Sequence, residues 1–155
     1  MRRKEREISD IADIESIIFR ADVCRIAFAD NNTPYIVTMN FGYKGGDDKK
    51  LFFHCAQAGR KIDMIKKNNY VCFEIDTDHI LTKGDAACDF SMKYSSVVGW
   101  GNIFAVDNDN EKTEGLDSIM NHYTDRSGYT YYPDVLKRTI VLRLDIVSMT
   151  GKRIQ

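Results

Sequence analysis

No apolar run among the 155 residues is long enough to cross a bilayer as a helix. The basic N-terminal residues Arg2, Arg3, Lys4 and Arg6 are not followed by the hydrophobic segment of a secretory leader. A cytoplasmic location with no membrane partner is the expectation. Net charge is also lacking: 22 Lys and Arg stand against 23 Asp and Glu, so the formal charge is −1. That balance excludes a general attraction to nucleic acid or to an anionic surface, and any cationic site has to be local. Cysteine is sparse and scattered. Cys24, Cys55, Cys72 and Cys88 form no C-x-x-C pair, so neither a zinc site nor a dithiol redox motif is expected, and no metal site is predicted. Cys24, Cys55 and Cys72 lie in apolar runs and read as small core residues. No serine, histidine and acid share a spacing that argues for hydrolysis. Neither an internal repeat nor a linker is visible. Residues 1–155 therefore read as one domain, long enough to bury a core, with residues 1–8 a solvated lead-in.

What remains is an ordinary globular composition, 43% hydrophobic and 29% charged. Ile11, Ile14, Ile17 and Ile18 fall on one face of a helix over Asp10–Arg20, with Ser9 or Asp10 to cap it. Val23–Ala29 and Tyr35–Tyr43 read as strands of a hairpin, joined by a turn at Asp30–Pro34. A second turn at Lys44–Asp48 leads to a strand at Leu51–Phe53. Tyr70–Asp76 alternates, with Val71, Phe73 and Ile75 on one side and Cys72 and Glu74 on the other. Thr77–Phe90 is open between an irregular strand and an excursion. Lys93–Val106 reads as a long strand whose Gly99 and Gly101 predict a bulge or a close approach. A helix over Asn110–Tyr123 carries Leu116, Ile119, Met120 and Tyr123 on one stripe. A Tyr-rich loop at Ser127–Pro133 and a final strand over Thr139–Met149 complete the chain. Many strands joined by short turns predict a mainly β fold, an antiparallel barrel with flanking helices.

The stretch from Leu51 to Asn68 is the most informative. After its opening strand the chain breaks at Ala58-Gly59 and resumes as a short helix, with Ile62 and Ile65 one turn apart. Arg60 and Lys61 then fall in the first turn, the end that the helix dipole already makes positive. Two cations set against that dipole, beside free backbone N–H groups, predict a bound anion, and a phosphate in particular. The alternative is a pair of solvated charges.

Three segments carry a resemblance to a known family. They are Pro34-Tyr35-Ile36-Val37-Thr38-Met39-Asn40-Phe41, then Phe53-His54-x-Ala56-x-x-Gly59-x-Lys61, then Tyr94-x-Ser96-Val97-x-Gly99-x-Gly101. In that order they resemble the pyridoxamine 5′-phosphate oxidase-like split-barrel flavoproteins, and within them the Nim-type 5-nitroimidazole resistance proteins. The resemblance implies a homodimer of split β-barrels with FMN at the subunit interface. It implies that Arg60 and Lys61 hold the FMN phosphate and that Val37, Thr38, Met39 and Asn40 run along the ring, partly through backbone groups. Ser96 matches a cofactor contact, and His54 and Cys55 match the strand end beside phosphate and ring. The chain departs from the pattern at Ser95, where many relatives carry arginine, and at Cys55, where glycine is common.

Each residue also has a plainer reading. His54 is a candidate proton donor, since imidazole titrates near neutrality, or a hydrogen-bonded structural residue. Trp100 either stacks on a ligand or packs in a core or interface. Tyr123, Tyr129, Tyr131 and Tyr132 either cover a pocket or lie on the surface. Two functions follow. One is an FMN-dependent oxidoreductase passing electrons from a reduced donor to a small acceptor, with a nitroaromatic as the acceptor the resemblance suggests. The other is a non-catalytic module binding flavin, haem or another phosphate-bearing ligand on the same barrel.

Overall fold

The computed structural model describes residues 3–154. A 3-10 turn at Lys4–Arg6 precedes β1 (Glu7–Ile8), α1 (Ile11–Arg20), β2 (Cys24–Asp30), β3 (Thr33–Met39), β4 (Gly42–Lys44) and β5 (Lys50–Ala56). Then follow α2 (Arg60–Lys67), β6 (Tyr70–Thr82), β7 (Ser91–Ala105), α3 (Asp109–Tyr123), α4 (Pro133–Arg138) and β8 (Thr139–Ile154). The strands form one sheet in the order β3-β2-β6-β7-β8-β5-β4, every pair antiparallel, with β1 added to β8.

The hairpin of β2 and β3 closes in two residues, because Asn31 and Asn32 take φ of 47° and 63°, a region asparagine enters more readily than most residues. The turn is therefore tighter than the predicted Asp30–Pro34. Pro34 lies within β3, which tolerates it as an edge strand.

The predicted strand over Tyr35–Tyr43 is in fact two. Thr33–Met39 pairs with β2, while Gly42–Lys44 pairs with β5 at the opposite end of the strand order. Met39 and Gly42 are three steps apart in the chain and so within about 11 Å. The two ends of the sheet are thus drawn together, and the sheet curls into a barrel. No pairing joins β3 to β4, so the barrel stays split along that seam. The break has a packing cause: a Cβ at Gly42 would meet the backbone of Ser118 and Ile119 at 2.4 Å, so only glycine lets α3 seat there.

Two clusters make the core. The larger gathers the inward residues, including Ile14, Ile17 and Ile18 of α1, Ile26, Phe28, Leu51, Phe53 and Phe73. The smaller consists of Phe52, Ile119 and Val141, where α3 covers the outer side of β5 and β8. Phe52 and Phe53 therefore face opposite ways, as strand alternation requires. α1 forms as its isoleucine spacing predicts, and the Asp10 carboxylate caps it by accepting from the Ala12 N–H at 2.8 Å.

Several predicted limits move. Glu7 and Ile8, read as part of a solvated lead-in, pair with Lys152 and Gly151, and Ile8 packs against the core; Met1 and Arg2 lie outside the described residues. The Tyr-rich loop gives way at Pro133 to α4, a helix with proline in its first turn and Lys137 and Arg138 in its last. The final strand runs on to Ile154. Gly99 and Gly101 do mark a bulge: the β7–β8 register shifts after Trp100, and a Cβ at Gly101 would lie 2.2 Å from the Asp145 carbonyl.

The open stretch after Thr77 resolves into strand. β6 continues to Thr82 across an irregularity between Thr77 and Ile80, where Asp78 has φ 61°. Its carboxylate accepts from the Arg20 guanidinium at 2.8 Å, which holds it below the usual carboxylate range. A depressed folded value means stability that is present above the unfolded pKa, near 4, and lost as pH falls through the folded one. Both partners are exposed, so the contribution is below about 1 kcal/mol. Asp78→Asn keeps a residue that tolerates this φ. It is expected to lower the urea midpoint slightly at pH 7 and to converge on the wild type once the pH has fallen below the folded value of Asp78. An equal loss at both pH values would mean that charge is not the cause.

Candidate functional site

The site begins at the turn from β5 into α2. Gly59 adopts φ 136°, and a Cβ there would meet nothing within 4 Å, so the turn needs glycine for its backbone and opens onto free space. No side chain among the described residues caps α2. The N–H groups of Ile62 and Asp63 turn back to the Gly59 carbonyl at 2.9 and 3.2 Å. The amides of Arg60 and Lys61 find no acceptor among the described residues, as expected of a helix start. Asp63 offsets part of the positive charge of this turn.

The two cations diverge. The Arg60 guanidinium lies over the Tyr35 ring, 4.5 Å from its centroid. It lines a cavity of about 350 Å³ with Asp30, Thr33, Asp63, Met64 and Lys67. Lys61 turns toward β5, close enough to Cys55 to oppose the upward push that burial gives the Cys55 thiol. Neither cation pairs with a carboxylate among the described residues, whereas Lys67 on the same helix is engaged by Asp30 at 2.7 Å.

β3 supplies the neighbouring wall. Val37 and Met39 face the core, Thr38 is exposed on the outer face opposite Arg25, and Asn40 is exposed just past the strand end. Because β3 ends the strand order, one of its backbone edges has no strand partner and is available to a ligand. Tyr35 stands on the same strand and so ties the Arg60 corner to it.

His54 and Cys55 point to opposite faces. Cys55 packs against the main core, near Lys61. His54 lines a largely apolar cavity of about 260 Å³ with Ile119, Met120, Tyr131, Tyr132 and Val135. It has no hydrogen-bond partner among the described residues. Of the four tyrosines, Tyr131 and Tyr132 cover this cavity, and Tyr131 is fixed by donating to Asp117 at 2.6 Å. Tyr123 instead bridges Phe41 and Asp22, and Tyr129 bonds Thr124.

Ser96 is half-buried on the outer face of β7, in register with Asp76 and Lys152. β2 and β6 separate β7 from β3, so Ser96 and Thr38 share a face but lie three strand spacings, about 14 Å of sheet, apart and two residues out of line. Ser95 is buried and accepts from Arg153 Nε at 3.3 Å. Ile36 and Trp100 are exposed on the same outer face, at 63% and 38%. Within one chain, then, Arg60 lies on Tyr35 of β3, and Lys61 lies near Cys55. Thr38 and Ser96 belong to the outer face, and His54 to a separate cavity. Tyr35, which meets Arg60, is not singled out by the sequence; its place in the Pro34–Phe41 motif is the available signal.

An open, split β-barrel with a cationic, uncapped helix start beside its seam defines the class. The chain belongs to the pyridoxamine 5′-phosphate oxidase family, whose model matches residues 10–153. Among solved structures it is similar to a protein of Bacteroides thetaiotaomicron provisionally named a 5-nitroimidazole antibiotic resistance protein. That match has 34% identity and a TM-score of 0.83, covering 95% of this chain and 86% of that one. A flavocytochrome from Azotobacter vinelandii matches at 16% identity and TM-score 0.82, over 100% of this chain and 72% of that one. An FAD and haem binding protein from Mycobacterium smegmatis matches at 13% and 0.79, over 97% and 74%. These two share the fold. No curated protein matches the sequence. Among the described residues no helix is long and apolar enough to cross a membrane, and no group of three or more His, Cys, Asp or Glu is placed to hold a metal ion.

Proposed function

We propose that the chain is an FMN-binding flavoprotein that passes electrons from a reduced donor to a small acceptor, a nitroaromatic of the 5-nitroimidazole kind. The observation that carries this reading is the start of α2: two cations and two amides without partners among the described residues, and an open glycine turn, next to Tyr35 of β3. These groups fit a phosphate tail at the turn and a flat ring along the strand. The similarity to the Bacteroides protein supports the acceptor class.

Bound FMN would supply the redox chemistry. The chain's own residues bind and orient. Arg60, Lys61 and their amides would hold the phosphate by charge-assisted hydrogen bonds. Backbone groups of Val37–Asn40 would set the polarity along the ring. The His54 cavity lies on the opposite face of β5 from Cys55 and opens past Tyr131 and Tyr132; with the second chain of a dimer closing it, it would take a small aromatic acceptor, and His54 is its candidate proton donor. A homodimer is part of the proposal. Thr38, Ser96 and the exposed Ile36 and Trp100 share an outer face that a second chain would cover, which would bring Ser96 of one protomer toward a cofactor held partly by the other.

The test is turnover. The protein loaded with FMN and kept free of oxygen should oxidise a reduced nicotinamide in a manner that depends on added nitroimidazole, and His54→Ala should slow the step. Tight FMN binding with no turnover for any acceptor would favour the non-catalytic module instead.

A further inference from the structure

We infer that Tyr35 is a positioning residue for the anion site: its ring holds the Arg60 guanidinium, so that the N–H donors stay free for a phosphate. The inference rests on the proposed phosphate site and adds a residue to it.

A guanidinium at a helix start beside acidic neighbours would ordinarily fold onto a carboxylate. Asp30 and Asp63 line the same cavity as Arg60. Yet Arg60 makes no ion pair with either among the described residues, and Asp30 is taken by Lys67 at 2.7 Å. The guanidinium instead sits 4.5 Å from the Tyr35 ring centroid. A stacked guanidinium is attracted through its face, while its five N–H donors point outward in the plane. The contact of the guanidinium carbon with the ring therefore holds the group without consuming the donors that a phosphate needs. Lysine, a point charge on a flexible stem, could not be held in this way.

The ring is itself anchored. Tyr35 and Phe28 lie with centroids 6.4 Å apart, and Phe28 is buried in the main core. Tyr35 faces the core side of β3, the same side as Val37 and Met39. Core, tyrosine and arginine thus form one chain of contacts, from the barrel interior out to the start of α2. Order imposed before binding spares a flexible side chain the entropy of being fixed at binding, so the gain should appear as affinity.

The test uses the full chain, with FMN and riboflavin as probes and quenching of flavin fluorescence as the readout. Tyr35→Leu keeps an apolar side chain against Phe28 but removes the ring face; Tyr35→Phe keeps it. Tyr35→Leu should weaken FMN binding roughly three- to tenfold. Tyr35→Phe should stay within about twofold of wild type, since the ring face is retained. Riboflavin, which has no phosphate, should bind both variants alike. Arg60→Ala should weaken FMN binding about ten- to a hundredfold, and adding Tyr35→Leu to it should cost nothing more. FMN binding unchanged in Tyr35→Leu would overturn the inference. So would a loss of equal size in the Arg60→Ala background, or an equal loss for riboflavin, since either would show Tyr35 acting otherwise than through Arg60. Unchanged FMN affinity in Arg60→Ala itself would remove the phosphate assignment on which the inference stands. Thermal unfolding of each variant separates all of these from a damaged fold.

Discussion

Replacing both Arg60 and Lys61 with alanine is expected to weaken FMN binding by about 10²- to 10⁴-fold. A hydrogen bond to a charged group contributes about 1.5–3 kcal/mol, so two of them give about 3–6 kcal/mol, and each 1.4 kcal/mol is a factor of ten. The loss should come with little change in thermal stability, because neither side chain pairs with a described carboxylate or belongs to the buried core. Wild-type affinity should also fall as salt is raised, since the turn opens to solvent and its charges are screened. A double variant that binds FMN like the wild type would show that the anion lies elsewhere.

The second large effect is structural. Gly42→Ala would place a Cβ 2.4 Å from the Ile119 nitrogen and the Ser118 carbonyl carbon, both backbone atoms of α3. No rotamer can relieve that contact; either α3 must lift from β4 and β5 or the β3–β4 break must move. The expected cost is about 3 kcal/mol or more, at the upper end for overpacking. For a chain of this size it corresponds to roughly 6–12 °C in Tm. Gly45→Ala is the control. Its Cβ would meet Glu15 Oε1 at 2.8 Å, the far end of a flexible side chain, and should cost about 1 kcal/mol or less. If both variants melted alike, the seating of α3 on Gly42 would not be what breaks the strand.

Those two positions show what the sequence discloses and what it hides. Elements with one buried face were legible. Ile14, Ile17 and Ile18 mark α1 by their spacing, and Val71, Phe73 and Ile75 mark β6 by alternation, because burial on one side imposes a period. The split of Tyr35–Tyr43 was not legible: Phe41 and Tyr43 are buried like strand residues, and the approach of α3 to Gly42, just past the break, is set by residues far along the chain. The extension of β6 to Thr82 lacks a period because Ile80 and Leu81 are both exposed. α4 buries none of its residues and so shows no stripe.

The site divides in the same way. Arg60 and Lys61 stand out in sequence because positive charge at a helix start opposes the dipole, a local effect. That they point apart, one onto Tyr35 and the other toward Cys55, depends on tertiary packing. The opposite facing of His54 and Cys55 follows from strand alternation alone and was available from the sequence. The separation of Ser96 from Thr38 was not, because it depends on which strands lie between.

The central claim is that the start of α2 binds the phosphate of a flavin. Titrating the purified chain with FMN and, in parallel, with riboflavin tests it most directly. Saturable uptake of one FMN per chain is expected, with riboflavin bound at least about a hundredfold more weakly for want of the phosphate contacts. Equal affinity for the two, or no uptake of either, would contradict it.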